Sequence, residues 1–136
     1  NKVMKKNLKT EKIYEIVEEC AKYKNLFING FFVAGMPQET HETLEETYQM
    51  IKRLPLNKFA IFFATPYPGT ELFNYCVEHN LLSNKTEDYM EMGNLQCKST
   101  EPHFKPHALT KEDLIDFRRK CYDYQEKILK IQNFPR

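Results

Sequence analysis

Two short loops hold the residues with the most chemical promise. Gly35-Met36-Pro37-Gln38-Glu39-Thr40 follows the apolar run from Leu26 to Ala34, and Thr65-Pro66-Tyr67-Pro68-Gly69-Thr70 follows Phe59 to Ala64. Each joins Gly and Pro to a closing Thr, a side chain that caps helix N-termini. Glycine lets a backbone come within contact distance of a ligand, so the chemistry these loops suggest is binding. Without further information they also read as well-made turns. Glu39 has the type of a general acid or base, but a carboxylate in a first helical turn more commonly serves the helix dipole. Tyr67 has two open readings, a cover over a substrate or a ring packed on its own loop. No catalytic residue is assigned.

Metal chemistry has weaker support. His103 and His107, with Cys97, have the right residue types, but Pro106 between the histidines prevents a regular helical i, i+4 pair. A solvent loop is the better reading. His41 and His79 fall on helix surfaces with no visible partner. Cys20, Cys76, Cys97 and Cys121 make no CxxC or CxxxCxxC set. Cys20, Cys76 and Cys121 fall on apolar helix faces, where a thiol acts as a small hydrophobe.

The elements that must position the loops are legible from periodicity. Apolar runs 26–34 and 59–64 lack alternation, as in strands covered on both faces. Gly30 interrupts the first, marking a bulge or close backbone approach. Helices are expected near 11–23, 41–54, 70–80 and 111–130, with Thr10, Thr40, Thr70 and Thr110 at their starts and Asp113 completing an acidic capping box. Their apolar stripes are Ile13, Ile16, Val17 and Cys20; Leu44, Tyr48 and Ile51; Leu72, Phe73, Cys76 and Val77; and Leu114, Phe117, Cys121, Tyr124 and Ile128. Strand, loop, helix, strand, loop, helix predicts an α/β fold with a parallel βαβ unit. Both loops then share the carboxyl edge of the sheet, where such folds bind ligands. Residues 83–108 carry no strong period and stay unplaced.

A length of 136 residues suits one domain, and 41% hydrophobic with 29% charged residues is a globular balance. A formal net charge of +1 offers no field for nucleic acid or anionic membrane, so neither is expected as a partner. Lys2, Lys5, Lys6 and Lys9 are the one local cluster and read as solvated. No apolar run approaches the roughly 20 residues of a membrane span, and no signal peptide is visible. A cytoplasmic setting is expected. The chain begins at Asn1 on a helix approach, and a two-strand parallel sheet leaves edges unpaired, so a piece of a longer protein is also expected.

The run Gly30-Phe31-Phe32-Val33-Ala34-Gly35-Met36-Pro37-Gln38-Glu39-Thr40, followed by Glu42-Thr43, resembles a conserved segment of radical S-adenosylmethionine enzymes. Thr65-Pro66-Tyr67-Pro68-Gly69-Thr70-Glu71-Leu72 resembles another, in the same order and at the same spacing. Together they are most similar to the cobalamin-binding subgroup, labelled magnesium-protoporphyrin monomethyl ester cyclase-like or Fe–S oxidoreductase. The likeness covers residues 8–80, with a weaker match at Leu109-Thr110. It implies a partial (β/α)6 barrel holding the fifth and sixth strands, with 1–82 as the carboxy-terminal part of the barrel. Residues 83–136 would be an irregular segment and a helix packed on it.

The resemblance further implies S-adenosylmethionine, a 4Fe–4S cluster and, for the subgroup, cobalamin as cofactors of the whole protein. That protein would be an oxidoreductase or methyltransferase working through a 5′-deoxyadenosyl radical. By the same resemblance Val33 lies against adenine, Gly35 gives close approach, and Ala64 or Thr65 supplies backbone hydrogen bonds. Two departures stand out. Gln38 replaces a family glycine, and the CxxxCxxC cluster run is absent, so the chain alone is expected to be inactive and to hold no tightly bound cofactor. Its partners would be the missing amino-terminal part of its own chain and a second copy. The rival readings are a non-catalytic α/β nucleotide- or partner-binding module and a structural half-barrel that self-associates.

Overall fold

A computed structural model describes residues 9–82 and 101–131 of the chain. Lys2, Lys5, Lys6, Cys97 and most of the unplaced segment lie outside these residues. The element order is α1 (Thr10–Ala21), β1 (Asn29–Ala34), α2 (His41–Arg53), β2 (Lys58–Phe63), α3 (Glu71–Glu78) and α4 (Lys111–Ile131). This is the mixed α/β architecture that the periodicity predicts.

Local chemistry explains most boundaries. Thr40 and Thr43 form a reciprocal capping box at α2: Thr43 N–H donates to Thr40 Oγ1, and Thr40 N–H to Thr43 Oγ1. The Thr70 hydroxyl accepts from Phe73 N–H at 3.2 Å to start α3. At α4, Asp113 N–H donates to Thr110 Oγ1 at 3.1 Å and Thr110 N–H to Asp113 Oδ2 at 2.7 Å. The first helix differs from expectation. Lys9 occupies the N-cap position with no side-chain cap, and Thr10 is already helical.

β1 and β2 pair in parallel, with Gly30 opposite Phe59, Phe32 opposite Ile61 and Ala34 opposite Phe63. The register runs unbroken through Gly30, so that glycine marks close approach and not a bulge. A Cβ there would come within 2.8 Å of the Leu56 side chain. Even positions of β1 and odd positions of β2 face α2 and α4. Phe59, Ile61 and Phe63 join Leu44, Ile51, Leu54, Leu114, Phe117 and Cys121 in the main core. Odd positions of β1 and even positions of β2 share the other face, and among the described residues nothing covers it. The absence of alternation therefore overstates the cover: Phe31 is 68% exposed and Val33 41%.

Two helix stripes are narrower than their sequence pattern. Ile16 is half exposed while Tyr14 packs against the core, held with the Arg53 guanidinium 4.1 Å from its ring centre. α1 is thereby turned away from the predicted Ile16 contact, leaving Cys20 only half-buried. On α3, Cys76 is buried but Val77 faces outward.

The edges of the sheet differ too. Gln125 Oε1 accepts from Phe59 N–H at 2.6 Å, and Tyr122 Oη accepts from Ile61 N–H at 3.3 Å. Helix α4 thus supplies acceptors to two outward amides of β2, which corrects the expectation that the strand edges are left unpaired. Ile28 and Ala34 carbonyls accept from β2, so the backbone groups of Asn29, Phe31 and Val33 point the other way. Among the described residues no strand lies beyond β1.

Residues 101–110 form an extended strap. Pro102, Phe104, Pro106 and Leu109 are buried between exposed or half-buried neighbours. Phe104 bridges Leu82 in antiparallel fashion and joins Ala64 and Cys76 in a second small core. His107 N–H donates to Pro37 O at 3.2 Å. This part of the unplaced segment is therefore a fastened strap, although the His107 side chain itself is exposed.

Candidate functional site

The carboxyl ends of the two strands lie side by side, joined by Ala64 N–H donating to Ala34 O at 2.8 Å. Val33, Gly35, Ala64 and Thr65 are thus brought to one edge. Val33 sits on the open face opposite Phe62, and the Phe62 ring centre lies 5.9 Å from that of Phe31. These three side chains make an apolar surface next to both loops, with the two rings tilted by 35° to one another. A β-branched residue at its end is stiff and holds that surface in place.

The first loop turns at Gly35, whose φ is +89°. A Cβ there would meet Leu114 Cδ1 at 3.0 Å, so the glycine is required by its own fold. The loop is then closed by Glu39. Its Oε2 accepts from the amides of Gly35 and Met36, while Glu39 N–H donates to Met36 O at 2.9 Å. Glu39 precedes the N-cap Thr40, so its role is to lock the loop and not to sit in the first helical turn. Burial raises its pKa above the usual carboxylate value, and the two amide donors only partly offset this. Gln38 is exposed, and Asn80 is the single described non-glycine residue with positive φ. The glycine-to-glutamine departure therefore adds no left-handed strain.

The second loop is held by short-range bonds. Tyr67 N–H donates to Thr65 O at 3.1 Å, and Thr70 N–H donates to Tyr67 O at 3.1 Å. Gly69 has φ +84° with open space around it. Tyr67 is half-exposed beside buried Pro66. The Ala64 amide is engaged by Ala34 O and has no proton left for another acceptor.

The thiols at this end of the fold are inert. Burial pushes Cys76 up to about 11 and Cys121 up to about 12, far from thiolate at neutral pH. The histidines are less isolated than the sequence suggests. His41 Nε2 lies 3.8 Å from Asp113 Oδ2. His79 stacks on Tyr75 with ring centres 4.2 Å apart, and Tyr75 Oη lies 2.9 Å from His107 Nε2. Only the i, i+4 spacing of Tyr75 and His79 was visible in the sequence; His107 lies 32 positions from Tyr75.

No family model matches the chain. Similarity to curated proteins is nevertheless clear. The chain is 33% identical over 104 residues to an uncharacterized methyltransferase of Pyrococcus horikoshii, covering 76% of this chain and 21% of that protein. It is 26% identical over 126 residues to the bacteriochlorophyllide d C-8(2)-methyltransferase of Chlorobaculum tepidum, covering 93% and 27% respectively. It is 31% identical over 93 residues to the anaerobic magnesium-protoporphyrin IX monomethyl ester cyclase of Cereibacter sphaeroides, covering 68% and 14%. The chain therefore spans about a quarter or less of the length of these relatives. Methyltransferases and a cyclase of this kind are what the two loop segments resemble, which supports a relationship to the radical S-adenosylmethionine enzymes at a coarse level. Among the described residues no helix is long and apolar enough to cross a membrane.

Proposed function

We propose that this chain is a carboxy-terminal part of the barrel domain of a radical S-adenosylmethionine enzyme, and that it supplies the adenine-side wall of the cofactor site. The observation that carries this reading is the apolar surface of exposed Phe31 and Val33 and half-buried Phe62, which runs along the strands toward both loops. The residues fit an adenine ring: an apolar face ending in stiff Val33, a glycine at the turn, and backbone polar groups at Ala64 and Thr65. They do not fit the iron–sulfur cluster. Cys76 and Cys121 are buried and neutral, and no pair of cysteines has cluster spacing. Cluster, cobalamin and catalytic groups belong to the rest of the protein in this reading, with residues 83–136 packed against the barrel part. The whole protein would transfer methyl groups or oxidise its substrate in the cytoplasm.

Replacing Val33 by Asp in the intact enzyme should weaken S-adenosylmethionine binding at least tenfold while leaving cluster absorbance unchanged. Equal affinity in the variant would remove Val33 from the site. The isolated chain should show no iron–sulfur absorbance after anaerobic reconstitution. In the intact protein the open face and the β1 edge would be covered by the preceding strands. The isolated chain would pair with a second copy through β1, because α4 already occupies the β2 edge. Light scattering across dilution tests this, and a monomer at tens of micromolar concentration would count against it.

A further inference from the structure

We propose that Tyr75, His79 and His107 form a binding site for a divalent transition-metal ion of the nickel, copper or zinc type, clipping the end of α3 to the strap. Among the described residues no group of three or more His, Cys, Asp or Glu is placed to hold a metal. Here two imidazoles are completed by a phenol, a donor outside that set. The ring centres of His79 and His107 are 5.5 Å apart. A metal–nitrogen bond of about 2.1 Å puts two imidazoles on one tetrahedral ion with centres roughly 5 Å apart, so the spacing needs little adjustment. Tyr75 Oη and His107 Nε2 are hydrogen-bonded at 2.9 Å, and a tetrahedral ion taking the place of the shared proton would hold them about 3.4 Å apart, a small separation of the two side chains. Imidazole and oxygen donors with no thiolate favour borderline ions over hard calcium or soft copper(I).

Two further features prepare the site. Both histidines stand on fixed backbone. His79 closes α3, where Leu81 N–H donates to Cys76 O at 2.8 Å, Asn80 N–H donates to Val77 O at 3.1 Å, and Asn80 takes the left-handed conformation with φ 53°. His107 is pinned by its N–H donating to Pro37 O at 3.2 Å, and nearby Lys105 by its N–H donating to Leu81 O at 3.2 Å. The site also lies at the C-terminal end of a helix, where the carbonyl dipoles favour a cation. A metal clip here joins residues 32 positions apart, a long loop whose closure stabilises the folded chain. The phenol proton, and any proton on either imidazole, leaves to solvent on binding, so affinity falls as the solution is acidified.

Nickel(II) titration of the full chain, followed through the histidine ring NMR signals, tests the proposal. The His79 and His107 signals should broaden together below one equivalent, while those of His41 and His103 persist. Zinc(II) should raise the thermal midpoint by several degrees, and His79→Ala or His107→Ala should each abolish both effects. Tyr75→Phe should weaken nickel binding severalfold. Broadening of all four histidines alike, or of one alone, would overturn the site, as would a Tyr75→Phe chain that binds as tightly as the original. A thiolate charge-transfer band with cobalt(II) would assign the metal to a cysteine and equally overturn it.

Discussion

Phe59, Ile61 and Phe63 lie under α2 and α4, while Phe31, Val33 and Phe62 form the opposite face of the same two strands and look outward. The outward face carries Asn29 and Lys58 at its start beside these apolar side chains, and only the other face is buried. The edges repeat the asymmetry: side chains from α4 satisfy β2, and β1 is left open. A surface whose composition suits a core but which stays exposed marks a place where something else docks. The difference between the faces separates what holds this chain together from the surface that, in the function proposed above, meets a ligand or neighbouring strands.

The largest test of that division compares two phenylalanines. Phe59 is 2% exposed and ring-stacked with Tyr122, centres 6.3 Å apart. Phe59→Ala should lose about 3–5 kcal/mol of stability in urea unfolding. Phe31→Ala should change stability by no more than about 0.5 kcal/mol, as a surface substitution does. Similar losses at both positions would show that the open face is a hidden part of the core. The two glycines sharpen the comparison at the site edge. Gly69→Ala should cost roughly 1 kcal/mol for its left-handed φ alone, and Gly35→Ala about 2 kcal/mol or more because Leu114 must also move.

A smaller effect is expected at the sealed edge. Gln125→Ala leaves the Phe59 amide without its acceptor and should cost about 1 kcal/mol. It should also open a second edge for strand addition, so the variant should associate more strongly in sedimentation than the original chain. Unchanged association would mean that the bulk of α4, and not its hydrogen bonds, guards β2.

The sequence carried the parallel unit, its helices and three of the four helix starts because those features are local. Thr40, Thr70 and Thr110 announce caps within three residues of what they bond. Gln125 reaching the Phe59 amide, 66 positions away, has no local signature. The same holds for His107 meeting Tyr75, and for Glu39 folding back on Gly35 when its position suggested a dipole partner. The candidate wall residues were placed at a common edge by strand order alone. Which face stayed open could not be read from runs without alternation, because each run looked buried on both sides.

The smallest effect concerns Glu39, which ties the open face to the buried one through the Gly35 turn. Burial raises its pKa in the folded chain above 4.5, so folding favours the protonated carboxyl. The sign follows from linkage: its contribution to stability is complete below the unfolded pKa and is lost as pH rises through the folded one. Asp113 runs the other way. Thr110, by backbone and side chain, holds its pKa down, so its contribution is present above the unfolded value and fades as pH falls. Glu42 and Glu45 are held down as well, so opposing slopes overlap in the acid range of the original chain. Glu39→Gln keeps an acceptor oxygen for the Gly35 and Met36 amides and removes the charge. Its stability relative to the original chain should therefore rise with pH through the carboxylate range, then level off within about 1 kcal/mol. A pH-independent difference in urea unfolding would mean that the Glu39 carboxylate is solvated, and that the loop is closed by its backbone alone.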